Sequence, residues 1–515
     1  MSYLPAMLRY ALLGCALAHF AAPLTTLAQS VPEPCGTVAE RSTWLADFQR
    51  GLTPEARPAR TDVTIALHTH LLAPSAARPF SYVRALETMG ALERDFVGTG
   101  VRFRVNLPFD TIVSAAYDDH ATVLEGADLM FANNVDGALN LYLVSNPAGN
   151  CGYNLPYAGI AVASQCAGAA SKTMAHEVGH ALSLPHPFLG WEGGQTTGGD
   201  RPADFGRPAP RTVTYDYTYF QDTLIRDTTI IDTALVELVD RSNCREAADG
   251  FCDTPADYLA RRWTCNNNGV SNTSQLDPDS VAFVSDGSLI MSYSDDDCQQ
   301  RFSPDQALAM QAFAQQERSS WIRSNGDTAT VSGDVEPAFV DGDELPSATV
   351  LPFTSAPNAT HYYVQISARR SLSSFVAQAV TTDTFVVLDP SVFEVGEEYY
   401  WRVYPYSDHS FRRGFSPRYS FVYPMSVGAP AAASVDIAAF PNPVAAGSHV
   451  QLGERWAGRA YGLRSAVGQV VQRGTLDASG QLTLKPATPQ GVYVLVVDAG
   501  DAQRAGGQAT LIVTD

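Results

Sequence analysis

The residues best placed to do chemistry lie in one short stretch, Met174 to His186, which reads M-A-H-E-V-G-H-A-L-S-L-P-H. Residues four apart stack on one face of a helix, so His176 and His180 can aim two imidazole nitrogens at one point, as a helix does when it holds zinc. Glu177 sits beside the first of them. In H-E-x-x-H a carboxylate at that place takes a proton from a metal-activated water and does not coordinate, which makes Glu177 the candidate general base. A third nitrogen comes from His186, just past Pro185, where the helix can no longer continue. Glu192 is the alternative third ligand, but Pro187, Gly190 and Gly193 disfavour the helix it would need. Two surface histidines on an ordinary helix would also match H-E-x-x-H; the third His at this spacing is what turns the reading toward Zn2+.

The chain that must position these groups has 515 residues, enough for three or four domains. Its hydrophobic content of 45% and charged content of 17% mark a globular protein. A formal net charge of −20 argues against nucleic acid or an anionic membrane surface as the main partner. Residues 1–28 read as a signal peptide: Arg9, an apolar run from Tyr10 to Leu24, then Thr26-Leu27-Ala28 before Gln29. Leu12-Leu13-Gly14-Cys15 is a competing lipoprotein box. No later stretch is long and apolar enough to read as a transmembrane segment.

Export makes the cysteines candidates for pairing. Past Cys15 there are Cys35, Cys151, Cys166, Cys244, Cys252, Cys265 and Cys298, an odd number. Cys35 stands apart, in P-E-P-C-G-T within an N-terminal segment, 29–60. A thiolate is a strong zinc ligand, so Cys35 either occupies the open metal position as a cysteine switch or is an incidental free thiol. Activation would then cut after Arg57 or Arg60.

Val63 to Leu67 reads as a strand, with His68 and His70 on one face; such a pair could bind metal, but a satisfied strand histidine is the plainer reading. Val83, Leu86, Met89, Leu92 and Phe96 recur at helical spacing, and Val101, Phe103, Val105 and Leu107 alternate as in a half-buried strand. Leu139 to Val144 and Ile160 to Ala163 supply two more strands, giving an α+β domain with a mixed sheet. A Gly-, Thr- and Pro-rich insert to about residue 227 reads as loops. In C-R-E-A-A-D-G-F-C-D-T-P-A-D, the carboxylates of Asp249, Asp253 and Asp257 could bind Ca2+, or form a plain acidic loop. Asp295, Asp296 and Asp297 could meet a basic substrate side chain or lie solvated in a turn.

The zinc string resembles that of the metzincin peptidases, with Ser183 where the family usually has Gly. Met291, in S-L-I-M-S-Y-S, fits the metzincin Met-turn, and Tyr293 would then hydrogen-bond the oxyanion of the tetrahedral intermediate. H-E-V-G-H-A-L-S-L-P-H, D-G-F-C-D-T-P, I-M-S-Y-S, the Cys that follows and F-S-P-D-Q together resemble the pappalysin (cytophagalysin) family over residues 61–325. The resemblance implies a zinc endopeptidase acting on proteins or peptides, with His176, His180 and His186 as ligands, Glu177 as base and Tyr293 as stabiliser. It also suggests bridges Cys244–Cys265 and Cys252–Cys298, with Cys151–Cys166 as this chain's own pair.

Residues 326–345 read as a linker. From there to 424, alternating segments such as His361 to Ile366 and Glu398 to Val403 read as a β-sandwich that looks like a fibronectin type III module. Its aromatics are core, or an adhesive face. After a second linker, 425–434, residues 435–515 carry A-A-F-P-N-P-V and a terminal G-V-Y-V-L strand. They resemble the sorting domain of the type IX secretion system; the plainer reading is a small stalk. The expectation is a metzincin-type domain followed by two all-β sandwiches, in a secreted or surface-attached peptidase. The rival is an adhesin with an inactive peptidase fold.

Overall fold

The computed structural model describes residues 34–37, 41–51, 62–76, 78–192, 205–220, 227–324, 326, 328–424, 435–465, 470–497 and 507–514. The expected signal peptide, Arg57, Arg60 and the linker 425–434 lie outside these residues. Its content is mixed α/β, with few helices and many sheets.

In chain order the first elements are helix α1 (Thr43–Gln49), strand β1 (Val63–Ala73), helix α2 (Tyr82–Asp95) and strand β2 (Val101–Val113). Helix α3 (Val123–Asn133) follows, then strands β3 (Leu139–Val144), β4 (Gly152–Leu155) and β5 (Gly159–Ala163). Helix α4 (Thr173–Ala181), helix α5 (Pro304–Glu317) and strand β6 (Ile322–Arg323) complete this region.

β1 is buried along its whole length, because it pairs in parallel with β2 on one side and with β3 on the other. β3 pairs in parallel with β5, and β5 antiparallel with β4, which forms the sheet edge. Such buried parallel strands need a helix on their faces. The apolar stripe of α2, with Leu86, Met89 and Leu92, supplies one layer of the shared core, and α4 supplies Met174, Ala175 and Val178. The string F-S-P-D-Q starts α5 with a capping box: Ser303 Oγ accepts from Gln306 N at 3.1 Å, and Gln306 Oε1 accepts from Ser303 N at 2.9 Å.

Two readings of this region change. The insert after the zinc string is not all loop, since Thr212–Phe220 and Asp227–Leu235 form an antiparallel hairpin; Thr212-Val213-Thr214-Tyr215 is a β-branched and aromatic run that favours strand. Among the described residues the disulfides are Cys151–Cys166, Cys244–Cys252 and Cys265–Cys298, so the suggested interleaved bridges Cys244–Cys265 and Cys252–Cys298 are corrected to two successive ones. The turn-rich D-G-F-C block folds Cys252 back onto Cys244, with Cα atoms 5.2 Å apart, inside bridging range. Three disulfides fit an oxidising, extracytoplasmic compartment. No helix among the described residues is long and apolar enough to cross a membrane.

Beyond residue 328, a four-stranded antiparallel sheet built on His361–Ser367 and Glu398–Tyr406, and a two-stranded one, enclose a core around Trp401. A third core, around Leu463, Leu495 and Leu511, lies within a six-stranded and a two-stranded sheet in the last eighty residues.

Candidate metal centre

α4 is buried on all sides, which brings His176 and His180 to the interior, 5% and 7% exposed. The helix ends in a left-handed turn. Ser183 N donates to His180 O at 2.9 Å and Leu184 N to Gly179 O at 3.0 Å, the paired bonds of a Schellman motif with Ser183 at φ 75°. That position favours Gly, and a bond of 2.9 Å between the Ser183 and Ser42 hydroxyls helps hold the strained residue. The turn returns the chain so that His186 faces the helix.

The three imidazoles then converge. Their Nε2 atoms form a triangle with each side 3.1 Å. Each Nδ1 faces an oxygen: Ile290 O at 2.8 Å from His176, Leu184 O at 2.7 Å from His180, and Glu192 Oε1 at 3.2 Å from His186. Since carbonyl and carboxylate oxygens only accept, every Nδ1 carries the proton and every Nε2 presents a lone pair to the other two. Three lone pairs at this distance repel unless a cation lies among them, and the outer oxygens fix the rings as metal-binding imidazoles require. Burial holds His176 and His186 down to about 3, and His180 well below the ordinary imidazole value, so none competes for the site as a cation. With Cys35 they form a cluster that could hold a metal ion, its four ligand atoms all within 4.8 Å of one another. Glu192, the alternative third ligand, orients His186 through the bond just described.

Cys35 arrives from the N-terminal segment. Its Sγ lies 3.6 Å from His180 Nε2, and burial, then the charge of Glu177, pushes its thiol well above the usual range. Its neighbours are tied down as well. Gly36 N donates to Gly152 O on β4 at 2.8 Å. Thr37 Oγ1 donates to Glu177 Oε2 at 2.9 Å and accepts from Asn154 N at 2.7 Å. Tyr293 donates its hydroxyl to the carbonyl of Cys35 at 3.4 Å. Residues 34–37 therefore fill the groove between β4 and the histidines, and the space left beside His176 and Tyr293 is about 10 Å³.

Glu177 is fully buried, and its Oε1 has no hydrogen-bond partner among the described residues. Burial pushes its carboxyl up to about 8, against the opposing hydrogen bonds from Cys35 and Thr37. Room for it comes from Gly152, where an added Cβ would lie 2.9 Å from Glu177 Cγ. Met291 lies beneath α4, so close that a Cβ on Gly179 would come 2.4 Å from its Sδ. The tight turn holding Met291 closes with Ser292 N donating to Leu289 O at 3.1 Å. Tyr293 packs with its ring 4.8 Å from that of His186.

The acidic residues have other work. Asp249 accepts from Phe251 N and Thr254 Oγ1, while Asp253 accepts from Ser303 Oγ and Asp305 N, both at 2.8 Å, at the start of α5. These two carboxylates thus serve separate hydrogen-bond sets, and neither joins a cluster of three or more metal-binding groups among the described residues. Asp257 anchors the Met291 turn by accepting from Ser292 Oγ at 3.0 Å, a role with no mark in the sequence. Of Asp295, Asp296 and Asp297, read either as partners for a basic substrate side chain or as a solvated turn, the first two pair with Arg262 of this chain, at 3.1 and 2.6 Å. Sequence reasoning also missed Thr37 and Gly152; a hydroxyl two residues from Cys35 was the one available signal for Thr37.

A larger cleft of about 1020 Å³ lies elsewhere, lined by residues of α2, β2 and α5, and it holds none of these groups. No family model and no curated protein matches the chain. Among solved structures it is similar to the FN1–FN3 domains of chicken CNTN1, at 15% identity over 36% of this chain and 70% of that one, with a TM-score of 0.16. It is also similar to the BSP domain of a biofilm associated protein, at 16% identity over 35% and 30%, TM-score 0.16. A third is native alpha-2-macroglobulin from Escherichia coli, at 17% identity over 35% and 63%, TM-score 0.13. Scores this low assign neither a family nor a function.

Proposed function

We propose that this chain is an exported zinc-dependent endopeptidase of the pappalysin type, held latent by residues 34–37, with C-terminal β domains for spacing and for type IX sorting. The observation that carries this is the triangle of three Nε2 lone pairs, each ring fixed by an outer oxygen, beside a buried carboxylate and a phenol. Zinc held by His176, His180 and His186 would polarise a peptide carbonyl and lower the pKa of a water at the open position. Every other part belongs to the chain. Glu177 takes the water's proton at Oε2, the oxygen now occupied by Thr37, and returns it to the leaving amine, acting first as base and then as acid. Tyr293 donates to the substrate carbonyl oxygen where it now meets the carbonyl of Cys35, a bond that strengthens as that oxygen gains charge. The edge strand β4 receives the substrate backbone as it now receives Gly36.

The test is hydrolysis of casein by the trypsin-trimmed protein beside Glu177→Ala, with and without a zinc chelator. Activity lost in both controls supports the reading. Bound zinc without turnover in any sample overturns it and moves weight to a binding protein with an inactive peptidase fold.

A further inference from the structure

We propose a second divalent-cation site, built across β1 and β2 by His68, His70 and Asp110 and sharing no residue with the first. Alternation along β1 puts His68 and His70 on one face, with ring centroids 4.7 Å apart. The register then shifts: His68 stands opposite Asn106 but His70 opposite Asp110, so two residues of β1 span four of β2. That irregularity brings Asp110 Oδ2 to 2.7 Å from His68 Nε2. One nitrogen of each ring and a carboxylate oxygen of Asp110 all lie within 4.8 Å of one another.

The tautomer of His70 follows from its neighbour. Asn140 Oδ1 accepts from Val135 N at 2.9 Å, and its Nδ2 donates to the carbonyls of Val135 and Ala138 at 3.0 and 3.1 Å, so its amide cannot be turned over. His70 Nε2, 3.2 Å from that Oδ1, must therefore be the protonated nitrogen, and Nδ1 keeps the lone pair. His68 has its outer partner too, with Asn106 Nδ2 at 3.2 Å from Nδ1. Both imidazoles thus have the supporting groups that metal-binding histidines need.

When the ion binds, His68 keeps its one proton but carries it on Nδ1, where Asn106, its amide turned, accepts it through Oδ1. Nε2 is then free for the metal beside the Asp110 carboxylate. The Asp110 side chain is 52% exposed and that of His68 11%, so an ion can enter from solvent and keep water in its remaining positions. Two imidazoles and one carboxylate select Zn2+, Ni2+ or Cu2+ over Ca2+ or Mg2+. Such an ion would pin β2 to the central strand.

The experiment counts zinc per full-length chain by elemental analysis after dialysis in zinc buffers across the micromolar range. The parent is compared with Asp110→Asn, His68→Gln and Asn106→Ala. Asp110→Asn and His68→Gln are each expected to hold one zinc fewer than the parent, and Asn106→Ala to bind the second ion roughly tenfold or more weakly. Asp110 and Asn106 are exposed, so their variants keep the fold even if His68→Gln does not. Because the result is a difference between parent and variant, it stands whether or not the first cluster is loaded or the chain is a peptidase. Equal zinc in the parent and in Asp110→Asn overturns the site and leaves His68 and Asp110 as an ordinary hydrogen-bonded pair.

Discussion

Two side chains of the N-terminal segment engage the centre at once. Cys35 faces the imidazoles and Thr37 gives its hydroxyl to Glu177. Removing one should loosen the latch without destroying it. We expect uncleaved Cys35→Ala to show casein hydrolysis well above the uncleaved parent, and Thr37→Val, which keeps the shape and leaves Glu177 Oε2 without its donor, a smaller rise of roughly tenfold, the loss of one hydrogen bond. Equal activity in Thr37→Val and the parent would leave Cys35 as the whole latch. The place of Cys35 beside the histidines was legible because an unpaired cysteine in an exported chain stands out by count. That of Thr37 was not, since its partner lies 140 residues away in sequence. Glu237 makes a separate prediction. Burial, then the nearby Asp249 charge, raises its carboxyl from 4.5 to about 9, and its Oε1 is buried without a hydrogen-bond partner among the described residues. Between those values the folded chain holds a proton that the unfolded chain has released, so stability is complete below about 4.5 and falls as pH rises toward 9. Melting in calcium-free buffer should show this fall, and Glu237→Gln should reduce it, gaining roughly 1–3 kcal/mol at pH 8.

The strands and helices that frame the centre were legible where periodicity is strong. The stripe from Val83 to Phe96 became α2, and the alternation from Val101 became β2. β4 escaped notice because Gly152-Tyr153-Asn154-Leu155 is short and buried at every position, so it shows no alternation. The cysteine pairing escaped because it depends on which cysteines the folded loops bring within reach, which spacing alone does not record. Yet β4 matters most to the groove, since its first residue both receives Gly36 and makes room for Glu177. Gly152→Ala would place a methyl 3.0 Å from Glu177 Oε1 and 2.9 Å from its Cγ. The trimmed variant should lose kcat by roughly 100-fold, the cost of displacing a reacting group by about 1 Å, with KM little changed. A loss confined to KM would mean that the strand only binds the substrate backbone.

At the scale of the whole chain, the sequence suggested a sandwich strung on a linker as a spacer, and a linker rich in polar residues gives no hint of docking. The structure gives the spacer a second task. Tyr363, Tyr404, Tyr406 and Phe411 belong to the same apolar core as α2, β1 and α4. Tyr82 of α2 stacks on Tyr363 with ring centroids 4.9 Å apart, and its hydroxyl lies 2.8 Å from that of Tyr406. Polar bonds border this seam: Glu93 accepts from Phe411 N at 2.9 Å, Asp408 O from Val105 N at 2.7 Å, and Arg104 pairs with Asp408 at 2.6 Å. A chain ending at residue 326 would expose α2 and the outer side of β2, whereas one ending at 424 would keep the seam. The shorter chain should therefore melt several degrees lower and bind a hydrophobic dye, and the longer should match the parent's first transition, because a few kcal/mol of lost packing moves a domain of this size by that much. Since α2 and α4 share one core, catalytic activity should fall along with melting in the shorter chain. Equal melting of both chains would mean that the sandwich is an independent bead after all, and that the centre owes nothing to it.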